Sequence, residues 1–212
     1  MIKDKNQIKE FKTYLTKPVT GVFGSSKTVI QSEKAKDFAI ELGRTIPYNI
    51  LTGGSTGLPL YTANYATLTD PSRLIVAVSP FATWEQHTKF FTRYSQTDQE
   101  NFEIGMMKFA FSEWIFLDVA KNHPVKRAFL ERNHYNVGIS DIACILPGTE
   151  GTLDELKLSI LNNRPLAVAT GLNTKFEDKV GEMIDKSQYK NVVYCKDPID
   201  ISNLIESYNA EN

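Results

Sequence analysis

The chain alternates between short continuous apolar runs and longer segments with helical spacing. The run 74–78 is apolar at every position, which is typical of a strand covered on both faces. In 35–42, apolar residues recur at i, i+3, i+4 and i+7, and Gly43 follows as a helix end. This alternation predicts an α/β fold: a Rossmann-like, doubly wound parallel sheet in a single domain spanning residues 1–212.

The pattern places each predicted element along the chain. Strands are predicted at 19–23, 48–51, 74–78, 114–119, 142–146, 165–169 and 192–195. Helices are predicted from Ile8, Phe11 and Leu15, over 35–42, after Gly57, and at 124–137, 153–161, 175–186 and 201–208. The segment 81–112 is irregular and rich in aromatic residues. It predicts one or two irregular helices packed on the sheet, a wall that stacks a flat ligand, or both.

Composition and charge disfavour several classes of function. The formal charge is −1, from 24 basic and 25 acidic residues without a long single-sign block, which disfavours binding to nucleic acid or to a membrane surface. We expect a cytoplasmic protein, because the N-terminus lacks a signal-peptide pattern and no run of eighteen apolar residues occurs. Cys144 and Cys195 are expected to be reduced core residues. The three histidines have no ligand spacing, so no metal site is expected.

Three predicted strands end in turns that contain glycine, at 23–26, 52–57 and 147–152. Turns that follow parallel strands meet at the carboxyl edge of the sheet, where ligands bind. Neither GxGxxG nor a P-loop occurs, which disfavours an NAD site and a kinase-type phosphate site. The third turn leads into a helix, whose N-terminus suits an anion such as a phosphate.

Two charged residues near these turns have both a functional and a structural interpretation. Arg132 shares a helical face with Val125, Ala128 and Phe129, so it either meets an anion at the sheet or extends out to solvent at the edge of that face. Glu155 lies close to the anion site, but Thr152-Leu-Asp-Glu155 also reads as a capping box in which Glu155 only caps the helix.

At these residues the chain resembles the Lonely Guy family of phosphoribohydrolases, often labelled lysine decarboxylase-like. That family carries an arginine-containing helix, a strand, and then Pro-Gly-Gly-x-Gly-Thr-x-x-Glu. Here Arg132 precedes Pro147 by the family's usual interval, and 147–155 matches the motif at every position but one. The turns at 24–26 and 53–58 are also similar, so the resemblance covers about residues 19–185.

The resemblance implies a homodimer that hydrolyses the N-glycosidic bond of cytokinin-type or purine nucleoside 5′-monophosphates to free base and ribose 5-phosphate. Arg132 and Glu155 would form the catalytic pair. The nucleotide and its phosphate would be held by Gly24, Ser25, Gly53, Gly54, Ser55, Gly57, Asn133, Gly148, Gly151 and Thr152. Water is the second substrate, so no cofactor is expected, and the expected partner is a nucleoside monophosphate or a similar phosphorylated small molecule.

Two positions depart from the family. Thr149 replaces a glycine, so a left-handed backbone there would be strained and would hinder close approach of a phosphate. Asn133 stands where plant-type members usually have lysine, which is similar to the branch that includes molybdenum-cofactor carrier proteins. The competing hypothesis is therefore a non-catalytic carrier or sensor of a phosphorylated heterocycle such as the molybdenum cofactor.

Overall fold

Within the described residues, seven parallel strands form the centre of the molecule. The computed structural model describes residues 11, 15, 17–27 and 32–211. The strands are β1 (Val19–Phe23), β2 (Asn49–Thr52), β3 (Ile75–Ser79), β4 (Glu113–Phe116), β5 (Ile142–Ile145), β6 (Leu166–Ala169) and β7 (Val192–Cys195). They lie in the order β4-β3-β2-β1-β5-β6-β7, and every neighbouring pair is parallel.

Helices connect these strands and cover both faces of the sheet. In the described part of the chain they are α1 (Glu33–Thr45), α2 (Leu58–Thr69), α3 (Trp84–Tyr94), α4 (Asp98–Ala110), α5 (Val125–Ile139), α6 (Glu150–Leu161), α7 (Thr174–Ser187) and α8 (Pro198–Glu211). A short 3₁₀ helix, Val119–Lys121, precedes α5. Buried side chains of α1, α2, α4 and α8 form one core, and those of α5, α6 and α7 form the other. The predicted Rossmann-like α/β fold in a single domain is confirmed.

The strand order positions the site. From β1 the chain builds outward through β2 and β3 to β4, and then returns to place β5 on the other side of β1. The loops after β1 and β5 therefore leave the same sheet edge in diverging directions, which opens a crevice between them. The buried pairing of Phe23 with Ile145 lies just below that crevice.

The segment 81–112 is more regular than its sequence predicts. It folds into α3 and α4, and the side chains of Thr83 and Thr97 cap these helices by accepting backbone N–H groups three residues on. Strand β4 ends at Phe116 rather than at 119, because Asp118 takes a left-handed conformation with φ of 55°. The helix predicted from Ile8, Phe11 and Leu15 falls almost entirely outside the described residues.

Other expectations concern the core and the membrane. Both cysteines are free and fully buried, as predicted. Among the described residues, no helix is long and apolar enough to cross a membrane. Nor does the described part of the chain contain a group of three or more His, Cys, Asp or Glu side chains placed to bind a metal ion.

Candidate functional site

The three glycine-containing turns contact one another at the carboxyl edge of the sheet. The Ser25 N–H donates to the Pro147 carbonyl at 2.9 Å, and the Leu58 N–H donates to the Ser25 carbonyl at 3.0 Å. Gly57 has a φ of 81°, and a Cβ there would lie 2.2 Å from the Ser25 oxygen. Only glycine satisfies both constraints, so the turn after β2 can dock on the turn after β1.

These turns enclose one side of a cavity of about 410 Å³. Its polar wall comes from the turns, from α5 and from the start of α6, and its apolar wall comes from α3 and α5. The lining residues are Val22, Phe23, Gly24, Ser26, Gly53, Ser55, Pro59, Phe90, Phe91, Lys126, Phe129, Leu130, Arg132, Asn133, Thr149, Glu150, Gly151, Thr152 and Glu155. The volume is in the range of small-molecule sites.

Arg132 lines this cavity with only 8% of its surface exposed. Its Nη1 donates to the Gly53 carbonyl at 2.6 Å, and a Cβ at Gly53 would lie 1.5 Å from that nitrogen. Burial lowers the pKa of the guanidinium, while the nearby carboxylates of Glu155 and Asp154 oppose that change. The interpretation in which Arg132 extends out to solvent is therefore wrong, and the cavity contains a buried cation.

Glu155 lines the same cavity and is 6% exposed. Its Oε1 accepts a hydrogen bond of 2.9 Å from Asn136 Nδ2. Burial raises the pKa of the Glu155 carboxyl to about 7, whereas the charge of Arg132 and the bond from Asn136 lower it. Both protonation states of this side chain are thus accessible near neutral pH, as is typical of a general acid or base.

Helix α6 begins earlier than predicted, at Glu150, with Thr149 as its N-cap residue. Thr152 and Glu155 therefore lie inside the helix, and their interpretation as a capping box is wrong. In the described structure the Thr149 side chain makes no capping hydrogen bond. The first N–H groups of a helix have no acceptor within it, and here they belong to residues that line the cavity, including Gly151. The start of a helix is an environment that favours an anion.

The backbone at Thr149 is unstrained, which corrects the sequence prediction. Its φ of −121° and ψ of −160° are extended values that any residue adopts. The neighbouring Gly148 is needed for close packing instead, because a Cβ there would lie 2.0 Å from Thr152 Oγ1. A threonine at 149 is therefore compatible with a phosphate at this turn.

The structure separates the predicted site residues into two groups. The cavity is lined by Gly24, Gly53, Ser55, Arg132, Asn133, Gly151, Thr152 and Glu155. Ser25, Gly54, Gly57 and Gly148 do not line it. Gly54, with a φ of 59°, packs against the Trp114 ring, and Gly148 faces a separate cavity on the other side of the β5–α6 turn. The residues of this second group help to shape the turns without lining the cavity.

Several supporting residues escaped the sequence analysis. Asn136 contacts Glu155, and its position one turn after Arg132 on α5 could have revealed it. Asp154 accepts a hydrogen bond of 2.9 Å from Asn133 Nδ2, which fixes that amide beside the cavity. No spacing rule indicates Glu103, which is fully buried and whose Oε2 accepts the Gly57 N–H at 3.0 Å.

A buried histidine also supports the site. His87 Nδ1 lies 2.9 Å from Ser79 Oγ, which accepts the Phe81 N–H. Burial lowers the pKa of His87 to about 3, so its ring is neutral. It packs at 4.8 Å from the Trp114 ring, which in turn contacts Gly54. Helix α3 is thus tied to the turn that positions Arg132.

Comparison with known proteins adds the fold relationship. No protein-family model matches the chain, and no curated protein matches it in sequence. The molybdenum cofactor binding protein of Rippkaea orientalis superposes with a TM-score of 0.64 at 20% identity, over 91% of this chain and 97% of that protein. The molybdenum cofactor carrier protein of Chlamydomonas reinhardtii gives 0.63 at 18% identity, over 92% and 99%. The chain shares its fold with these two proteins.

A third similar structure has a different function. DNA processing protein A of Helicobacter pylori, described for its binding of single-stranded DNA, superposes with a TM-score of 0.62 at 15% identity. The match covers 98% of this chain and 86% of that protein. Structures with the same fold therefore serve unrelated ligands, so the function has to be argued from the site.

Proposed function

We propose that this protein hydrolyses the N-glycosidic bond of a nucleoside 5′-monophosphate, releasing the free base and ribose 5-phosphate. The observation that carries the proposal is that Arg132 and Glu155 line one cavity beside a helix N-terminus. A buried cation, a carboxyl with a pKa of about 7 and free backbone N–H groups are the groups that this reaction needs.

The phosphate is the group best suited to the polar end of the cavity. The N–H groups at the start of α6 and the positive end of its dipole favour a dianion there. Gly151 leaves the backbone open, because a Cβ at that position would have no described atom within 4 Å apart from its chain neighbours and the backbone of its own helix. The side chain of Thr152 supplies a further hydroxyl on the same wall.

In the chemical step, positive charge develops on the sugar as the bond to the base breaks. A water oxygen bonds to C1′ as the C1′–N bond breaks, and the bonding electron pair leaves with the base nitrogen. The ionised Glu155 stabilises the oxocarbenium-like charge and accepts a proton from the water; it then returns that proton to the base nitrogen, directly or through solvent, and is ionised again. Arg132 holds the phosphate or donates a hydrogen bond to the leaving base.

The aromatic side chains of the cavity provide the surface for the base. The rings of Phe90 and Phe129 are 5.4 Å apart and line the same cavity with Phe91. Flat heterocycles stack on such rings. No further co-reactant is required, because water completes the reaction.

The test is release of free base from a panel of purine and cytokinin-type monophosphates, measured by chromatography. We expect Glu155→Gln to lower the rate by about 10²–10⁴-fold, since it keeps the side-chain volume and removes the ionisable group. Glu206→Gln, an exposed change on α8, is the matched control and should leave the rate unchanged. A purified protein that releases no base from any member of the panel would contradict the proposal.

A second candidate function is a non-catalytic carrier of a phosphorylated heterocycle such as the molybdenum cofactor. Support comes from the two similar structures that are molybdenum cofactor binding or carrier proteins. Asn133 at the cavity is consistent with it. This function predicts tight retention of the ligand without turnover, and Glu155→Gln would then change affinity rather than rate.

We further propose that two copies associate. Helix α4 exposes 64% of Phe102 and 74% of Phe109, which lie seven residues apart on one helical face. Large apolar side chains in this arrangement are typical of an interaction surface. Sedimentation equilibrium should detect a dimer, and Phe109→Glu should shift it to monomer. Leu161→Glu, at an exposed leucine on α6, is the control.

A further inference from the structure

A smaller cavity of about 270 Å³ lies beside the main cavity, and we call it the side compartment. Ser26, Phe90 and Phe91 line both spaces, so the two are neighbours along one cleft. The side compartment is lined by Ser26, Lys27, Thr56, Phe90, Phe91, Tyr94, Ser95, Gln96, Glu100 and Ile104. It contains neither Arg132 nor Glu155, and it lies toward the start of α4.

The wall shared with the main cavity is aromatic and continuous. Phe90 packs against Phe91 at 5.4 Å and against Tyr94 at 4.8 Å between ring centroids. Tyr94 is 60% exposed, so its ring is available for contact. A flat ring that leaves the main cavity along this wall would remain in contact with aromatic surface.

The other side of the compartment has hydrogen-bonding groups of defined character. Gln96 carries an amide that both donates and accepts, whereas the Glu100 carboxylate only accepts. The position of Glu100 is fixed, because its Oε2 accepts a hydrogen bond of 2.6 Å from the backbone N–H of Gln96. The Glu100 carboxylate thus favours a group that donates hydrogen bonds and disfavours a second phosphate beside it.

We propose that the side compartment binds the amine-bearing edge of the ligand's heterocycle, with Gln96 and Glu100 as the residues that select it. An exocyclic amine beside a ring nitrogen matches an amide, as adenine matches glutamine, and a carboxylate accepts the remaining N–H. Lys27 offers one donor to a ring acceptor. This inference rests on the proposed function for the placement of the phosphate and ribose in the main cavity.

The test compares three ligands that share ribose 5-phosphate: adenosine monophosphate, inosine monophosphate and ribose 5-phosphate itself. Calorimetry on the Glu155→Gln protein avoids turnover. We expect adenosine monophosphate to bind about tenfold more tightly than inosine monophosphate, which lacks the amine. Gln96→Ala should weaken the affinity for adenosine monophosphate by about tenfold and change the affinity for ribose 5-phosphate by less than about twofold.

The control and the contrary outcomes separate the two proposals. Asn101→Ala removes an exposed amide from α4 outside both cavities and should change nothing. Two outcomes would overturn the proposal for the side compartment alone, provided that ribose 5-phosphate still binds. One is equal affinity for both nucleotides, and the other is that Gln96→Ala leaves their affinities unchanged. Failure of ribose 5-phosphate to bind would instead remove the phosphate site on which the proposed function depends.

Discussion

Two buried glutamates on opposite sides of the glycine turns show how differently one side chain can be used. Glu103, on α4, receives hydrogen bonds from the Gly57 N–H, the Tyr61 hydroxyl and the Gln99 amide, at 2.9–3.1 Å. Glu155, on α6, receives one side-chain hydrogen bond within the described structure, from Asn136, and otherwise faces the cavity. The first carboxylate is enclosed by donors, and the second is left available to a ligand.

The difference teaches that burial alone does not identify a functional carboxylate. Donors around a carboxylate stabilise its charge and fix its position, so Glu103 holds the turn at Gly57 against α4. Burial raises the pKa of the Glu155 carboxyl to about 7, and the charge of Arg132 and the hydrogen bond from Asn136 oppose that change only in part. The number and kind of its hydrogen-bond donors separate a structural acid from a candidate catalytic one.

The largest effect on stability is expected from replacing Glu103, the structural carboxylate. Glu103→Ala would leave the Gly57 N–H and the Tyr61 hydroxyl without their acceptor in a buried region. We expect the free energy of unfolding to fall by about 3 kcal/mol, since each buried donor left unpaired costs roughly 1–3 kcal/mol. Urea unfolding measures this change.

Glu206→Ala is a suitable control for that measurement, because Glu206 is exposed on α8. Its effect should stay within about 0.5 kcal/mol. If Glu103→Ala were as mild as this control, the turn at Gly57 would not depend on α4 and the comparison of the two acids would fail.

A smaller effect, and one that depends on pH, is expected at Glu155. Its pKa is raised on folding from 4.5 to about 7, so between these values the folded protein holds a proton that the unfolded chain has released. The contribution of Glu155 to stability therefore falls as pH rises through this window. As the pH rises from 5 to 8, the free energy of unfolding of Glu155→Gln should therefore rise by roughly 2–3 kcal/mol relative to that of the wild type.

Thermal or urea unfolding of both proteins at several pH values checks this expectation. The glutamine can still accept the hydrogen bond from Asn136, so the comparison isolates the charge. A stability difference that is constant from pH 5 to pH 8 would mean that Glu155 is ionised throughout, and its assignment as an acid–base group would lose its physical basis.

The smallest effect is expected at Thr149. Because the backbone there is extended, glycine relieves no strain and only adds freedom to the unfolded chain. Thr149→Gly should lower the free energy of unfolding by about 0.5–1 kcal/mol and leave the affinity for ribose 5-phosphate within about twofold. A marked gain in affinity would show that the threonine restricts access to the phosphate site.

Much of the architecture followed from local pattern. Continuous apolar runs marked the strands because both faces of a parallel sheet are covered, and all seven predicted strands are present. The meeting of the three turns was predictable because parallel strands end at one edge. Spacing left the positions of Arg132 and Glu155 open, and it was the resemblance to the Lonely Guy family that paired them; both residues line one cavity.

The remaining features depend on contacts between distant segments. The sequence offers Thr149 and Thr152 as caps of α6, and the helix begins at Glu150 after Thr149, while Thr152 lies against Gly148. The regular helices of 81–112 were obscured because their aromatic residues face the cleft and solvent as well as the core. The hydrogen bond that the Gly57 N–H donates to Glu103 joins residues 46 apart, a distance at which no sequence periodicity applies.

The burial of Cys144 and Cys195 has a practical consequence for studying this cleft. Burial raises the pKa of both thiols, so neither reacts readily with maleimides in the folded protein. A cysteine introduced at an exposed position of the cleft, such as Tyr94→Cys, would be a unique attachment point for a fluorophore. Ligand entry could then be followed in the otherwise native chain, without first removing its own thiols.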